Sequence, residues 1–277
     1  MMRTLRILIV AFVVFLGGCS NKFNKVMKSK DLEYKYQMAE QYYANKKYNY
    51  SQQLFEELSP YLKGSPRYED MFYKWAYSYY NTKDYINGEN LFKTFVEYFP
   101  TSAKAEECEF MRAYCFYKQS PKVELDQTPT NKTMSLMQAF INTHPTSKRV
   151  KEANEIIDIC REKLEAKELK SAQLYYDLGY YKAAAIAFAN VSDNYPDSKR
   201  ADEYKLLVIR SYFKYAENSY EEKQKERFEK VLNEISDFKE RFGDSKWMEE
   251  VTKFKTQTDN FLKNINTTNN EQTKKTA

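Results

Sequence analysis

Residues 71–102 read MFYKWAYSYYNTKDYINGENLFKTFVEYFPTS, and this stretch decides the fold. Small and aromatic residues recur every three or four positions in two successive runs, which is the spacing of one face of an α-helix. The second run ends at Phe99-Pro100, because proline cannot continue a helix, and Ser102 can cap the helix that follows. The stretch therefore predicts two packed helices and the start of a third.

The phrase that closes this stretch returns along the chain, with its serine at positions 102, 147, 198 and 245. Each copy has an aromatic residue or histidine, then proline or glycine, one further residue, and serine. A weaker copy lies at Lys63–Pro66. The same two helical runs precede the copies ending at residues 102 and 198, so the phrase marks the ends of repeated helix pairs.

This pattern resembles the tetratricopeptide repeat, a helix–turn–helix unit of about 34 residues. The resemblance implies an all-α fold of about five repeats over residues 32–263, stacked as a right-handed superhelix with one continuous core. The third and fifth repeats depart from the pattern, through insertions near 120–131 and 217–225, and an extra helix is expected near 148–164. The polar segment 264–277 is expected to be a disordered tail.

The amino terminus predicts a lipid anchor. Two arginines, an apolar run and Leu16-Gly17-Gly18-Cys19 resemble a bacterial lipoprotein signal, which assigns residues 1–18 to the signal peptide and Cys19 to the lipidated residue. Residues 19–31 would then form a tether, and acyl chains on Cys19 would hold the protein in a membrane. No aspartate follows Cys19 and the segment is basic, so by resemblance to lipoprotein sorting rules the expected location is the periplasmic face of the outer membrane.

Composition excludes several function classes. The sequence has one histidine and six glycines, and it contains no metal-binding or nucleotide-binding motif, so no catalytic residue, metal or cofactor is expected. The formal net charge of +5 comes from well-mixed basic and acidic residues, which does not favour nucleic-acid binding. Three cysteines besides Cys19 are expected to be buried thiols; they are Cys108, Cys115 and Cys160.

The 25 tyrosines divide into two sets. The first occupies repeat packing positions and comprises Tyr42, Tyr48, Tyr79, Tyr85, Tyr175 and Tyr181. In the second set, Tyr73, Tyr77 and Tyr80 are spaced 4 and 3 on the first helix of the second repeat, and first helices line the concave groove of this architecture. The candidate groove residues for an extended peptide with a terminal carboxylate are Tyr61, Arg67, Tyr68, Tyr73, Tyr77 and Tyr80. Further packing remains an equal alternative for these tyrosines.

The chain resembles the BamD family, lipoproteins of the outer-membrane β-barrel assembly machinery. The resemblance rests on the lipoprotein signal that ends at Cys19, the number of repeats, the size of the chain, and the Phe-Pro-Thr-Ser and Tyr-Pro-Asp-Ser turns. The resemblance implies no enzymatic activity. It also implies that amino-terminal repeats engage the terminal signal strand of unfolded outer-membrane β-barrel proteins, with Arg67 meeting the carboxylate, while carboxy-terminal repeats dock on periplasmic domains of the barrel insertase.

Two alternatives remain open at this point. One is another periplasmic repeat lipoprotein, such as a pilotin-like factor or an organiser of cell-envelope enzymes. The other is a glycan-binding lipoprotein on the cell surface; such proteins are usually longer and carry large insertions and a surface-export signal, which this chain lacks.

Overall fold

The computed structural model describes the backbone of residues 22–276 and the side chains of residues 22–265. The predicted signal peptide, residues 1–18, and the predicted lipidation site, Cys19, lie outside the described residues. Within that range the chain is all-α, with no β-strand, as the sequence predicts. Contacts divide the chain into an amino-terminal module up to Arg161 and a carboxy-terminal module from Glu162.

The amino-terminal module consists of helix pairs joined by short turns. A short helical segment, residues 22–27, precedes them. Each helix packs against the next along the chain, so three repeats stack in order. The helices are α1 (Leu32–Ala44), α2 (Tyr48–Leu62), α3 (Tyr68–Asn81), α4 (Tyr85–Tyr98), α5 (Ala105–Gln119) and α6 (Thr128–Thr143).

Aromatic and small residues build the core of this module at the expected positions. Phe55, Phe92 and Phe95 are fully buried, and the small side chain of Ala76 is buried with them. A Cβ added at Gly88 would lie 3.4 Å from the backbone nitrogen of Tyr80, so glycine permits the close approach of α4 to α3. Burial of this many large side chains is the main stabilising contribution to such a stack.

The recurring serine joins consecutive repeats. In the turn before α5, the Ser102 hydroxyl accepts a hydrogen bond from the Lys104 backbone N–H and donates one to Glu69 in the preceding repeat, at 3.0 and 2.6 Å. The same pair of bonds recurs at every later copy of the phrase. The serines and their acceptors are Ser147 with Glu106, Ser198 with Glu165, and Ser245 with Asp202.

The carboxy-terminal module holds the remaining helices. Its core groups Ala172, Ala184 and Phe188 near its beginning, and Phe228 and Phe238 further along the chain. The last helix packs on the two helices before it. The helices are α7 (Val150–Asp177), which begins in the first module, α8 (Tyr181–Asn194), α9 (Ala201–Glu217), α10 (Glu221–Arg241) and α11 (Met248–Thr276).

The structure corrects three details of the sequence analysis. The extra helix expected near 148–164 is not separate, because α7 continues for 28 residues and includes the first helix of the fourth repeat. The insertion expected near 217–225 is a short break at residues 218–220, and the added residues lengthen α10. Residues 264–276, expected to be disordered, continue the backbone of α11, since no proline or glycine interrupts that segment.

Burial confirms part of the tyrosine assignment. Tyr42 is buried, whereas Tyr175 is exposed over 46% of its surface and is not a packing residue; its neighbour Tyr176 packs on the core instead. The remaining tyrosines of that set are half-buried. The three cysteines, Cys108, Cys115 and Cys160, are buried as expected, and none forms a disulfide within the part of the chain that the structure describes.

Candidate functional site

Three first helices of the amino-terminal module present the same pattern. Their first aromatic positions are 36, 73 and 110, so each set follows the previous one by 37 residues. Within each helix the members are spaced 4 and 3, which places them on one face. We call this surface the tyrosine face; its members are Tyr36, Glu40 and Tyr43 on α1, Tyr73, Tyr77 and Tyr80 on α3, and Phe110, Tyr114 and Tyr117 on α5.

Most aromatic members of this face are half-buried, and several rings touch in a chain. Tyr77 lies between Tyr73 and Tyr80, with ring centroids 4.7 and 6.2 Å away. The Tyr80 ring also contacts Tyr114 on α5, the first helix of the next repeat, with ring centroids 6.2 Å apart. Half-buried aromatic rings in contact form a firm apolar surface that keeps its polar tips near water.

A cation from the following repeat lies over the first ring of each set. Arg67 stacks over Tyr36 at 5.2 Å, Lys104 over Tyr73 at 4.7 Å, and Arg149 over Phe110 at 4.6 Å. Each cation also pairs with an acid one turn before that ring. The pairs are Arg67–Glu33 at 2.6 Å, Lys104–Asp70 at 2.6 Å and Arg149–Glu107 at 3.2 Å.

These pairs form a repeating row of carboxylate, aromatic ring and cation along the module. Hydrogen bonds from Lys104 and Lys74 hold the pKa of Asp70 below its usual range, against the opposing effect of burial. Because the row lies at the surface, its ion pairs contribute little to folding. The cations stay in reach of a ligand carboxylate, which would replace a resident acid.

Glu107 fixes the centre of the face. The hydroxyls of Tyr73 and Tyr77 donate to its two carboxylate oxygens, at 2.9 and 2.7 Å. Burial, followed by these hydrogen bonds to Glu107, raises the pKa of both tyrosines far above the usual value. Both side chains therefore remain neutral hydrogen-bond donors, with their rings held in place.

The structure brings together only part of the predicted groove set. Tyr73, Tyr77 and Tyr80 share the tyrosine face as expected, and Arg67 stands at the amino end of the same helix, engaged by Glu33. Tyr68 is buried against Phe72 and Phe99 on a different side of α3. The side chain of Tyr61 is exposed over 65% of its surface and lies on a second helix, α2.

Sequence reasoning missed Lys104, Glu107 and Tyr114, which the structure places in this surface. The signal that could have found them is the 37-residue register, since adding 37 to Arg67, Asp70 and Tyr77 gives these three positions. The serine phrase, with its unequal spacings, obscured that shorter and more regular period.

The side chain of His144 packs within the fold. Its ring packs on Phe140 at 5.1 Å and its Nε2 meets Glu109 at 2.7 Å, at the carboxy end of α6. This is the position at which other repeats place phenylalanine or tyrosine.

Among the described residues, no group of histidine, cysteine, aspartate or glutamate is arranged to hold a metal ion. In the same range no helix combines the length and apolar character needed to cross a bilayer.

Stacked helix pairs, serine-linked turns and an aromatic face on the first helices define an all-α tetratricopeptide-repeat protein. A family model described as YfiO, outer membrane lipoprotein, matches residues 28–230, and the chain therefore belongs to that family. No curated protein matches the sequence.

Solved structures of repeat proteins align over most of the chain. The TPR2AB-domain–pHSP90 complex of yeast Sti1 aligns with a TM-score of 0.39 and 11% identity, over 82% of this chain and 98% of that chain. A thermophilic TPR protein in Thermus thermophilus aligns with a TM-score of 0.31 and 14% identity, over 84% of this chain and 99% of that one.

Proposed function

We propose that this protein is a lipid-anchored scaffold of the outer-membrane β-barrel assembly complex. It binds unfolded outer-membrane β-barrel proteins and the periplasmic domains of the barrel insertase, from the periplasmic face of the outer membrane. The observation that carries the proposal is the outer-membrane lipoprotein family match over residues 28–230. Its role is binding rather than catalysis, and it uses no cofactor.

The tyrosine face suits an extended peptide rich in aromatic side chains. Rings of the peptide would stack on Tyr73, Tyr77 and Tyr80. Glu107 holds the first two in advance and ring contacts hold Tyr80, so little side-chain entropy is lost on binding. A terminal carboxylate of the peptide would displace Glu33 from Arg67 or Asp70 from Lys104. Exchange of one carboxylate for another keeps the cation paired and adds aromatic contact.

The decisive experiment is depletion of the protein, followed by an inventory of outer-membrane β-barrel proteins. A broad loss of these proteins is expected, together with co-purification of a barrel insertase with the scaffold. Loss of a single appendage, or copurification with a secretin or a murein enzyme, would instead favour a pilotin-like factor or an organiser of envelope enzymes. Protease treatment of intact cells distinguishes the proposed scaffold from a glycan-binding surface lipoprotein. A periplasmic protein survives the treatment, whereas a protein on the cell surface is degraded.

The binding face has its own test. A labelled peptide with a terminal aromatic residue and a free carboxylate is titrated with the protein carrying Arg67→Ala and Tyr77→Ala. Affinity is expected to fall at least tenfold, since a stacked ring and a charge-assisted contact are lost together. Tyr220→Ala is the matched control, because Tyr220 is 87% exposed in the carboxy-terminal module. Unchanged affinity in the double variant would show that the peptide does not bind to this face.

A further inference from the structure

The segment between the lipidation site and the first repeat is built into the fold. The Phe23 ring stacks on Tyr50 at 4.3 Å and meets Tyr42 edge-on at 5.9 Å. Both Phe23 and Val26 are buried, although residues 19–31 are expected to form a simple tether. The chain then turns into α1 through Ser29, whose hydroxyl accepts from the Asp31 backbone N–H at 3.1 Å.

This packing limits how far the repeats can lie from the anchor. Cys19 precedes Phe23 by four residues, and four residues span at most about 14 Å even when fully extended. Tyr42 and Tyr50 flank the turn between α1 and α2. Because Phe23 packs on both rings, this turn also lies a short distance from Cys19. Acyl chains on Cys19 would therefore hold the α1–α2 turn close to the membrane surface.

The surface so positioned is basic. Residues 22–30 contain four lysines and no acid, and Lys46 lies in the adjacent α1–α2 turn, where residues 44–50 contain no acid either. We call these five exposed lysines the basic edge; they are Lys22, Lys25, Lys28, Lys30 and Lys46. None of the ion pairs found among the described residues involves any of them, in contrast to the cations of the tyrosine face.

A cleft of about 530 Å³ adjoins Lys46, and its other lining residues are Lys47, Tyr48, Asn49, Tyr50, Asn81 and Thr82. Its lining combines two lysines with amide and hydroxyl groups, which are suitable donors for phosphate oxygens. Tyr50 belongs both to this cleft and to the ring stack that holds Phe23. The cleft therefore shares Tyr50 with the packing site of Phe23.

We propose that the basic edge is a second membrane contact, which lies against anionic phospholipid headgroups beside the lipid anchor. Basic residues near an anionic surface are attracted to it, and this attraction adds to the acyl anchor while orienting the repeats. The proposal rests on the proposed function only for acylation at Cys19. It does not depend on which proteins the scaffold binds.

The test uses the acylated protein purified from membranes and reconstituted into vesicles. One vesicle type is pure phosphatidylcholine and the other contains 30% phosphatidylglycerol. Lysine acylation by a soluble reagent is followed by mass spectrometry, and the ratio of rates in the two vesicles is taken for each lysine separately. This ratio cancels differences in intrinsic reactivity.

The basic edge is expected to react at least threefold more slowly in the anionic vesicles, and to lose this protection in 0.5 M salt. Lys148, Lys182 and Lys199, which are exposed elsewhere, should show a ratio near one. Equal ratios at the two sets would overturn the proposal. So would loss of protection on adding inorganic phosphate at constant ionic strength, because the site would then be a pocket for a free anion.

A charge-matched pair of variants tests the cause. Replacing Lys22, Lys25 and Lys46 by glutamine should abolish protection of the remaining Lys28 and Lys30, whereas replacing Lys148, Lys182 and Lys199 by glutamine should leave it intact. Equal loss in both would show an effect of net charge and overturn the proposal. Intact-mass measurement reports acylation at Cys19, and its absence also overturns the membrane contact, whereas a failed depletion experiment would affect only the assembly role.

Discussion

Equivalent positions of the repeat lie at a surface in α3 and under another helix in α9. Counting eight, twelve and fifteen residues from the serine of the turn gives Tyr73, Tyr77 and Tyr80 in α3, and Leu206, Arg210 and Phe213 in α9. The three tyrosines stay half-buried at a surface. The α9 positions are covered by α11. Leu206 and Phe213 are buried, and Arg210 makes two hydrogen bonds of 2.7 Å to Glu250.

This difference shows that residue choice follows what covers a helix, and not the repeat pattern alone. Phe213 contacts Phe254 and Phe261 of α11, at 5.1 and 6.1 Å, so the face of α9 is part of a core. The face of α3 carries hydroxyls instead, which need either water or a fixed acceptor such as Glu107. The face of α3 therefore stays accessible to a ligand, whereas Leu206 and Phe213 of α9 are buried.

The largest effect should come from Phe213→Ala. Removing a buried phenylalanine leaves a cavity and should lower the free energy of unfolding by about 3–5 kcal/mol. Tyr80→Ala, at the equivalent position of α3, should lower it by only about 1–2 kcal/mol, because that side chain is half-exposed. Urea denaturation of both variants gives the comparison, and equal losses would show that α11 does not make the α9 face a core.

A smaller effect is expected at the centre of the tyrosine face. Glu107→Ala removes the acceptor of two hydroxyls and the partner of Arg149, which should cost about 1–3 kcal/mol and weaken peptide binding. Glu107→Gln keeps an acceptor and should cost less. Glu97→Ala serves as the control, since Glu97 is exposed and makes only a 3.7 Å pair with Lys93, and its loss should be below about 0.5 kcal/mol. If Glu107→Ala behaved like this control, Glu107 would not organise the tyrosines.

Serine-linked turns offer a comparison within one module. Ser102→Ala removes both the hydrogen bond from the Lys104 N–H in the turn and the bond to Glu69 of the preceding repeat, so a loss of about 1 kcal/mol is expected. The hydroxyl of Ser65, in the weaker copy of the phrase, is buried and has no hydrogen-bond partner among the described residues. Ser65→Ala should therefore be neutral or slightly stabilising. Thermal unfolding distinguishes the two, and equal losses at both sites would mean that the inter-repeat bond of Ser102 contributes nothing.

Much of the fold follows from the sequence, because proline or glycine turns and helical spacing are local signals. The expectation that Ser102 caps a helix is wrong, since Lys104 occupies the N-cap of α5 and the Ser102 hydroxyl bonds within the turn before it. The five helix pairs and the buried thiols are confirmed. The merging of two helices into α7 escaped detection, since no proline or glycine separates them and only packing decides where a continuous helix changes partners. The polar composition of residues 264–276 likewise favours disorder, whereas their backbone continues α11.

The candidate site was less predictable. Spacing selected Tyr73, Tyr77 and Tyr80, but the same reasoning also included Tyr68, which the structure buries against Phe72 and Phe99. Residue type cannot separate a groove tyrosine from a core tyrosine, because both faces of a first helix are aromatic here. Lys104 and Glu107 come from the next repeat, so their place beside α3 depends on how repeats stack.

The smallest effect near neutral pH concerns the tyrosines of the face. Burial raises the pKa of Tyr43 to about 12, whereas an unfolded tyrosine titrates near 10. The folded state therefore keeps a proton that the unfolded state releases. This contribution to stability is complete below about pH 10 and is lost as the pH rises toward 12. Tyr36, Tyr73, Tyr77 and Tyr80 shift in the same direction, also with burial as the leading cause.

We expect the free energy of unfolding to stay nearly constant between pH 7 and about 9, and then to fall steeply above about pH 10. Absorbance at 295 nm follows tyrosinate formation, and urea unfolding at each pH gives the stability. Tyr43→Phe should reduce the alkaline fall, because Tyr43 then no longer contributes a difference in proton binding. Tyr204→Phe is the counterpart in the carboxy-terminal module, where burial and a hydrogen bond to Glu165 raise the pKa to about 12. If stability instead showed no fall above about pH 10, the tyrosine hydroxyls would titrate alike in the folded and unfolded states, and the face would not be the preorganised surface that peptide binding requires.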